Sequence, residues 1–302
     1  MLDICLLGTG GMMPLPTRYL TAMVARYKGR KLLIDCGEGT QVAMKELGWG
    51  YKTIDTICFT HYHGDHVTGL PGLLLTIGNS GREEPITIIG PQGLEEIIKG
   101  LLVIAPELPF ELNLIELSNE ESSTIQCGEI ELHTLPVEHN VPCLAYNMEI
   151  KRNPKFNVKK AKKYQVPKKF WTELQMGNTV KENGKLYEPY MVQGKRRKGL
   201  KVSYCTDCRP NIKIPKFVQN SDLLICEGMY GEDEYFEQAN KYKHMIYKEA
   251  AEIAKKGKVT ELWLTHFSPA MSEPEKHIEY ANRIFLNSIV GEDLMVKELR
   301  FN

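Results

Sequence analysis

No apolar run in this 302-residue chain approaches the roughly eighteen residues that a membrane-spanning helix needs, so no membrane partner is expected. The opening residues, MLDICLLGTGG, carry no basic lead and pass directly into a strand pattern. That suits a cytoplasmic protein and not a secretion signal. Paired cysteines are missing as well. The eight cysteines stand singly, mostly within apolar runs, which fits buried thiols in a reducing compartment and not a disulfide framework. The single Cys-x-x-Cys, Cys205 to Cys208, has no second pair to complete a zinc knuckle. No sequence repeat recurs at a short fixed period.

Charge of one sign is missing only on average. The chain holds 38 basic and 38 acidic residues, for a net charge of zero. Residues 151–201 nevertheless carry sixteen lysines and arginines against three acids, Glu173, Glu182 and Glu188, leaving the other 251 residues acidic by the same margin. A net +13 confined to about fifty residues is more than a solvated surface face usually needs. A polyanion-binding arm on an acidic body is the better reading. Its aromatics (Phe156, Tyr164, Phe170, Trp171, Tyr187 and Tyr190), prolines and glycines suggest a partly extended insertion over residues 151–199. At 42% hydrophobic content, the chain 1–302 is otherwise expected to form a single domain with a full core.

Around the insertion, strands and helices alternate. DICLLG, a hairpin turning at Lys28-Gly29, TIDTICFT, ITIIG, LNLIELS, EIELHTLPVEH and AYNMEI read as strands. GLPGLLLTIGN and PQGLEEIIKGLLVIA read as helices, the second entered at its proline. After the arm come strands KVSYCTD, LLICEG and VTELWLTHF, a helix HMIYKEAAEIAKKG ending at Gly257, and a final helix around EKHIEYANRIFLNSI. The repeated rhythm of strands followed by helices predicts an α/β fold, a four-layer αββα sandwich of two similar halves.

Histidine is scarce, yet three of the eight fall within six residues, in His61-x-His63-x-Asp65-His66. Imidazoles and carboxylates are costly to bury without partners and do not crowd together for packing. In an extended backbone, positions i and i+2 face together, so His61 and His63 can share one metal. Asp65 and His66 fall around the next turn, within reach of a second, with Gly64 expected to free the bend. Three more ligand types close apolar strands: His139, Asp207 and His266. With Asp207 bridging, nitrogen and oxygen donors of this kind suit zinc, with manganese as the alternative. Two such ions about 3.5–4 Å apart can clamp both oxygens of an in-line displacement at phosphorus.

With these residues in view, the chain resembles the ribonuclease Z family of the metallo-β-lactamase fold superfamily. The resemblance runs along nearly the whole chain through LLGTGG, LLIDCGEGTQ, THYHGDH, PVEH, YCTDCRP and LTHFSP. It implies a zinc-dependent endoribonuclease that removes the 3′ trailer of precursor tRNA after the discriminator nucleotide, leaving a 3′-hydroxyl. It implies that His61, His63 and His139 hold one zinc, that Asp65, His66 and His266 hold the other, and that Asp207 bridges them. Asp65 would also help to activate the nucleophilic water. His244 and Glu227 match the pair that serves the leaving group, one as proton donor and the other as its orienter. Arg18 remains from the family's Pro-x-Lys-x-Arg-Asn loop, which reads Pro14-Leu15-Pro16-Thr17-Arg18-Tyr19 here. The basic insertion stands where the family carries its tRNA exosite, with Lys159, Lys160, Lys162, Lys163, Lys168 and Lys169 as the expected phosphate contacts. A homodimer is implied too.

Three other readings compete. A phosphodiesterase acting on small or cyclic phosphate esters would keep the metals, but such a substrate needs no distant basic grip. A non-catalytic RNA-binding descendant should have lost at least one of the seven ligand-type residues, and all are present. A β-lactamase or thioesterase leaves the arm without a purpose.

Overall fold

The computed structural model describes residues 1–301. Sixteen strands are named in chain order: β1 Leu2–Gly8, β2 Ala22–Tyr27, β3 Arg30–Ile34, β4 Ile54–Cys58, β5 Ile86–Pro91, β6 Leu112–Leu117, β7 Thr124–Cys127 and β8 Ile130–Val137, then β9 Cys143–Ile150, β10 Val180–Glu182, β11 Lys185–Tyr187, β12 Leu200–Cys205, β13 Leu223–Glu227, β14 Leu262–Thr265, β15 Ser288–Val290 and β16 Val296–Leu299. Fourteen of them form two seven-stranded sheets, ordered β16-β1-β2-β3-β4-β5-β6 and β15-β14-β13-β12-β9-β8-β7. Each sheet is antiparallel at one end and parallel through β3–β6 or β12–β15. That repeated plan gives the two similar α/β halves expected from the strand-then-helix rhythm.

Sheet residues are apolar on both faces, as a sheet covered on both sides requires. Along β1, Cys5 and Leu7 join a cluster with Leu70, Leu73, Leu74 and Ile77 of the helix Leu70–Asn79. Leu2, Ile4 and Leu6 alternate with them and are also fully buried. The second sheet repeats this arrangement, packing Leu224, Cys226, Leu262 and Leu264 against Ala250, Ala251 and Ala254 of the helix Tyr247–Gly257. The Tyr146 hydroxyl, buried on β9, donates to the carbonyl of Phe59 after β4 (2.6 Å) and so ties one sheet to the other.

Several local expectations change. Pro91 does not open a helix; it ends β5, and the helix Leu94–Leu101 starts after Gly93 at φ 97°. Proline is tolerated where the ladder stops and a donor is not needed. The last expected helix shrinks to a turn at Pro274–His277 and a short helix Ile278–Asn282, followed by β15 and β16. Strands of three and four residues are too short to display alternation.

By contacts the chain divides into two compact units: residues 1–149 with 201–300, and residues 150–200 with Phe301. The second unit is not the partly extended arm expected from its composition. It contains helices Val158–Lys163 and Trp171–Met176 and the hairpin β10–β11, which turns at Asn183 and Gly184, both at positive φ. Asn-Gly between strands is a strong hairpin signal, here hidden by flanking lysines and glutamates. Ala161, Val166, Leu174, Tyr187 and Val192 make a small core of its own, and Phe156, Tyr164, Phe170 and Trp171 pack against it. Most of the aromatics that looked interleaved with charge are therefore spent on folding; Tyr190 stays half exposed.

Candidate metal centre

The strand ends converge. His61 and His63 follow β4, Asp65 and His66 lie in the helical turn Gly64–Val67, His139 follows β8, Asp207 follows β12, and His266 follows β14. The structure brings all seven of these residues together in overlapping groups: His61 with His63 and His139, Asp65 with His66 and His266, and Asp207 with His61 and His66. His61 Nε2 lies 3.0 Å from His63 Nδ1, which lies 3.3 Å from His139 Nε2. In the second group His66 Nε2 is 3.3 Å from His266 Nε2, and Asp65 Oδ2 is 3.5 Å from each. Asp207 reaches both groups, its Oδ2 being 3.0 Å from His66 and 3.7 Å from His61, and its Oδ1 2.9 Å from His266.

The turn that carries Asp65 and His66 is held against the loop after β3. Cys36 N–H donates to His66 O (2.7 Å) and Gly69 N–H to Cys36 O (2.9 Å). A Cβ on Gly69 would stand 2.0 Å from Gly37 O, so this approach requires glycine. Gly64, expected to supply the bend, instead takes an ordinary helical conformation. Asp207 and His266 sit at φ 49° and 58°, and so does Asp35 at 61°. Non-glycine residues held in that region are strained, and such strain clusters at functional sites.

Asp35 and Thr60, which the sequence reading did not single out, contact the clustered histidines. Asp35, fully buried, accepts from Thr60 N–H (2.8 Å) and from the Thr60 hydroxyl, and pairs with His66 Nδ1 at 2.9 Å. The Thr60 hydroxyl also meets His61 Nδ1 at 3.0 Å. His139 Nδ1 donates to Lys243 O at 3.2 Å. With Nδ1 engaged, each ring turns its Nε2 toward the cluster, the arrangement by which outer partners orient metal-binding histidines. The available signal was Asp35 itself, a carboxylate at the end of the apolar run LLID.

This donor set fits a cation. Both oxygens of Asp207, 1% exposed, make no well-aligned hydrogen bond although they lie 2.9–3.7 Å from imidazole nitrogens. Buried carboxylates are not left in that state without compensation. Burial holds His61 and His63 below the ordinary histidine range and His139 at about 4, so these rings remain neutral donors. At His66 and His266 burial again opposes charge, but Asp207, aided by Asp35 at His66, outweighs it, and His266 rises to about 10. The pocket demands positive charge at these points. Asp65 stays below the usual carboxylate range, because the His266 hydrogen bond and the neighbouring imidazoles overcome the effect of burial.

His244 Nδ1 lies 3.0 Å from Glu227 Oε2 and 3.6 Å from Asp207 Oδ1. Glu227, fully buried at the end of β13, also accepts from Cys208 N–H (2.6 Å) and Met245 N–H (3.1 Å). Its carboxylate, with Asp207, raises His244 above the ordinary range against the effect of burial. Arg18 lies over the ring of Phe267, the residue after His266, and donates to Met271 O. The six expected phosphate-contacting lysines are exposed and lie in the second unit. Lys159, Lys160, Lys162 and Lys163 are on one helix; Lys168 and Lys169 begin the turn Lys168–Phe170. Lys169 pairs with Glu182, and Lys160 donates to Gln193 O (2.9 Å).

Fold and site define a metal-binding hydrolase of the metallo-β-lactamase fold. Comparison with known proteins narrows the class. A profile for the anti-Pycsar protein Apyc1 matches residues 2–139. Ribonuclease Z of Clostridium kluyveri is 57% identical over 301 residues, covering all of this chain and 99% of the relative. Ribonuclease Z of Clostridium acetobutylicum is 56% identical over 306 residues with the same coverage. Among solved structures, the short form of human tRNase Z is similar at a TM-score of 0.72 and 26% identity, covering 99% of this chain and all of that one. The metallo-β-lactamase fold protein YhfI of Bacillus subtilis shares the fold at a TM-score of 0.70 and 18% identity, with the same coverage. The chain belongs to the ribonuclease Z family.

Proposed function

We propose that this protein is an endoribonuclease that cuts the 3′ trailer from precursor tRNA by hydrolysis of one phosphodiester, leaving a 3′-hydroxyl. The observation that carries this reading is full-length identity above half with ribonuclease Z relatives, in a chain that keeps all seven ligand-type residues together. His61, His63 and His139 would hold one zinc ion and Asp65, His66 and His266 a second, with Asp207 between them, giving two per chain. When bound, such a pair lowers the pKa of a water and offsets charge on phosphate oxygens.

The remaining work falls to the chain. Asp65 Oδ2 accepts from Met12 N–H at 2.7 Å, which holds the carboxylate in place. Its low proton affinity keeps it ionised, ready to orient the attacking water by accepting a hydrogen bond from it. Glu227 fixes the His244 ring through Nδ1, so Nε2–H is the proton presented to the leaving oxygen. Glu227 and Asp207 raise the proton affinity of His244 and so favour the protonated ring. Lysines of the second unit would grip tRNA phosphates, and Arg18 would contact substrate near His266. The working form would be a cytoplasmic homodimer.

The test is direct. Purified protein is incubated with a 3′-extended tRNA transcript and, separately, with a chromogenic phosphodiester, and the tRNA ends are mapped. Cleavage after the discriminator nucleotide, with a 3′-hydroxyl, is expected. Turnover of the small ester with the transcript left whole would refute the assignment in favour of a small-ester phosphodiesterase.

A further inference from the structure

Arg209 stands two residues beyond Asp207 and is 8% exposed. A buried guanidinium needs planar, multiply accepting partners, and it has them. Both terminal nitrogens engage the Glu249 carboxylate, with Arg209 NH1 2.9 Å from Oε2. The same NH1 donates to the backbone carbonyl of His244. Glu249 Oε2 accepts from Ile246 N–H (3.1 Å) at the start of the helix Tyr247–Gly257. The ring of Phe236 covers the guanidinium at 5.5 Å. Meanwhile Arg209 N–H donates to Glu138 O (2.9 Å), beside His139, and Glu138 pairs with Lys243. One side chain thus binds the loop of Asp207 to both ends of residues 244–246.

We infer that Arg209, through its fork on Glu249 and the His244 carbonyl, is the positioning residue for His244, setting its ring against Glu227 and the leaving oxygen. Arg209 touches no reacting atom. The inference rests on the reading of His244 as proton donor, and it adds the element that aims the donor. Lys243 sits at φ 62°, a conformation unfavourable to lysine. The backbone after it is held on the N–H side, by His244 N–H on Ala239 O (2.8 Å) and Met245 N–H on Glu227 (3.1 Å), and on the His244 carbonyl by Arg209. The Glu227 carboxylate holds the ring at Nδ1, Ala239 O holds the His244 N–H, and Arg209 holds the His244 carbonyl.

The test uses the leaving group. A proton donor matters for an RNA alkoxide and little for nitrophenolate, which leaves without protonation. Arg209→Met, Arg209→Lys, Glu249→Gln and His244→Ala, each fully metal-loaded, are assayed on 3′-extended tRNA and on bis(p-nitrophenyl) phosphate. Arg209→Met should lower kcat on tRNA by about 10- to 100-fold, part of the range that acid catalysis supplies, with KM within about twofold. The nitrophenyl ester should lose no more than about threefold. Arg209→Lys keeps the charge and loses the fork, so it should behave like the methionine variant; full recovery would overturn the clamp. Glu249→Gln should show a weaker split of the same kind and serves if Arg209→Met does not fold. In a crystal structure of the Arg209 variant, the His244–Glu227 contact should be broken; an unmoved His244 overturns the inference. A substrate split in His244→Ala that is absent from the Arg209 and Glu249 variants overturns the clamp alone. Equal losses on both substrates in His244→Ala would overturn the donor reading, and the inference with it.

Discussion

Asp35→Asn separates the orientation of a ligand from the ligand itself. Asp35 is fully buried and touches no cation position, yet it accepts from Thr60 N–H at 2.8 Å and pairs with His66 Nδ1 at 2.9 Å. Asparagine has the same size but carries only one acceptor atom. If its oxygen stays on Thr60 N–H, its NH2 meets His66 Nδ1–H, donor against donor. The ring then moves its proton to Nε2, and the lone pair facing Asp207 at 3.0 Å and His266 at 3.3 Å is lost. Loss of an outer partner of this kind typically weakens metal binding by about 10- to 100-fold. At about 1.4 kcal/mol per decade, that is roughly 1.4–2.8 kcal/mol. The effect should fall on the His66 group and spare the His61–His63–His139 group. Competition against a chromophoric zinc chelator should therefore resolve one weakened and one unchanged ion per chain. A folded Asp35→Asn protein with two unchanged affinities would refute the reasoning.

Three further outcomes are expected. His266 rises to about 10 while metal-free and His66 is also raised, so loading with zinc should release protons, read by calorimetry in buffers of different ionisation enthalpy; zero release contradicts the site. Asp65→Ala should cost at least about 100-fold in kcat with little change in KM, since the carboxylate serves the reacting water; near-normal kcat with weak binding would remove that role. Residues 157–192 can be replaced by two glycines, because Phe156 and Gln193 are already bridged. That should raise KM for precursor tRNA by about 100-fold and flatten its salt dependence, at roughly 0.7–0.9 log units per lost phosphate contact, while sparing a small phosphodiester; equal loss on both substrates in folded protein would refute an exosite.

The sequence alone determined the architecture and the kind of site. Both follow from local patterns: apolar runs of strand length, helical leucine spacing, and ligand-type side chains at the ends of those runs, where His61, His139, Asp207 and His266 fall. The family could be read for the same reason, because its motifs are contiguous stretches such as THYHGDH. What tertiary structure decided are relations between segments distant in the chain. Asp207 has both oxygens near histidines that follow β4 and β14 only because strand ends of both sheets meet: β12 and β14 flank β13 in parallel in one sheet, and β4 belongs to the other. Asp35 lies 31 residues from His66 and orients it through a contact that no spacing rule announces. The return of β16 to pair with β1, and the folding of arm aromatics into a separate core, were likewise invisible. Neither a four-residue strand nor an aromatic among lysines shows in its local pattern what it packs against. Arg209 is the clearest case: beside Asp207 in sequence it is one more charge, and only the approach of Glu249 and the His244 carbonyl makes it a clamp.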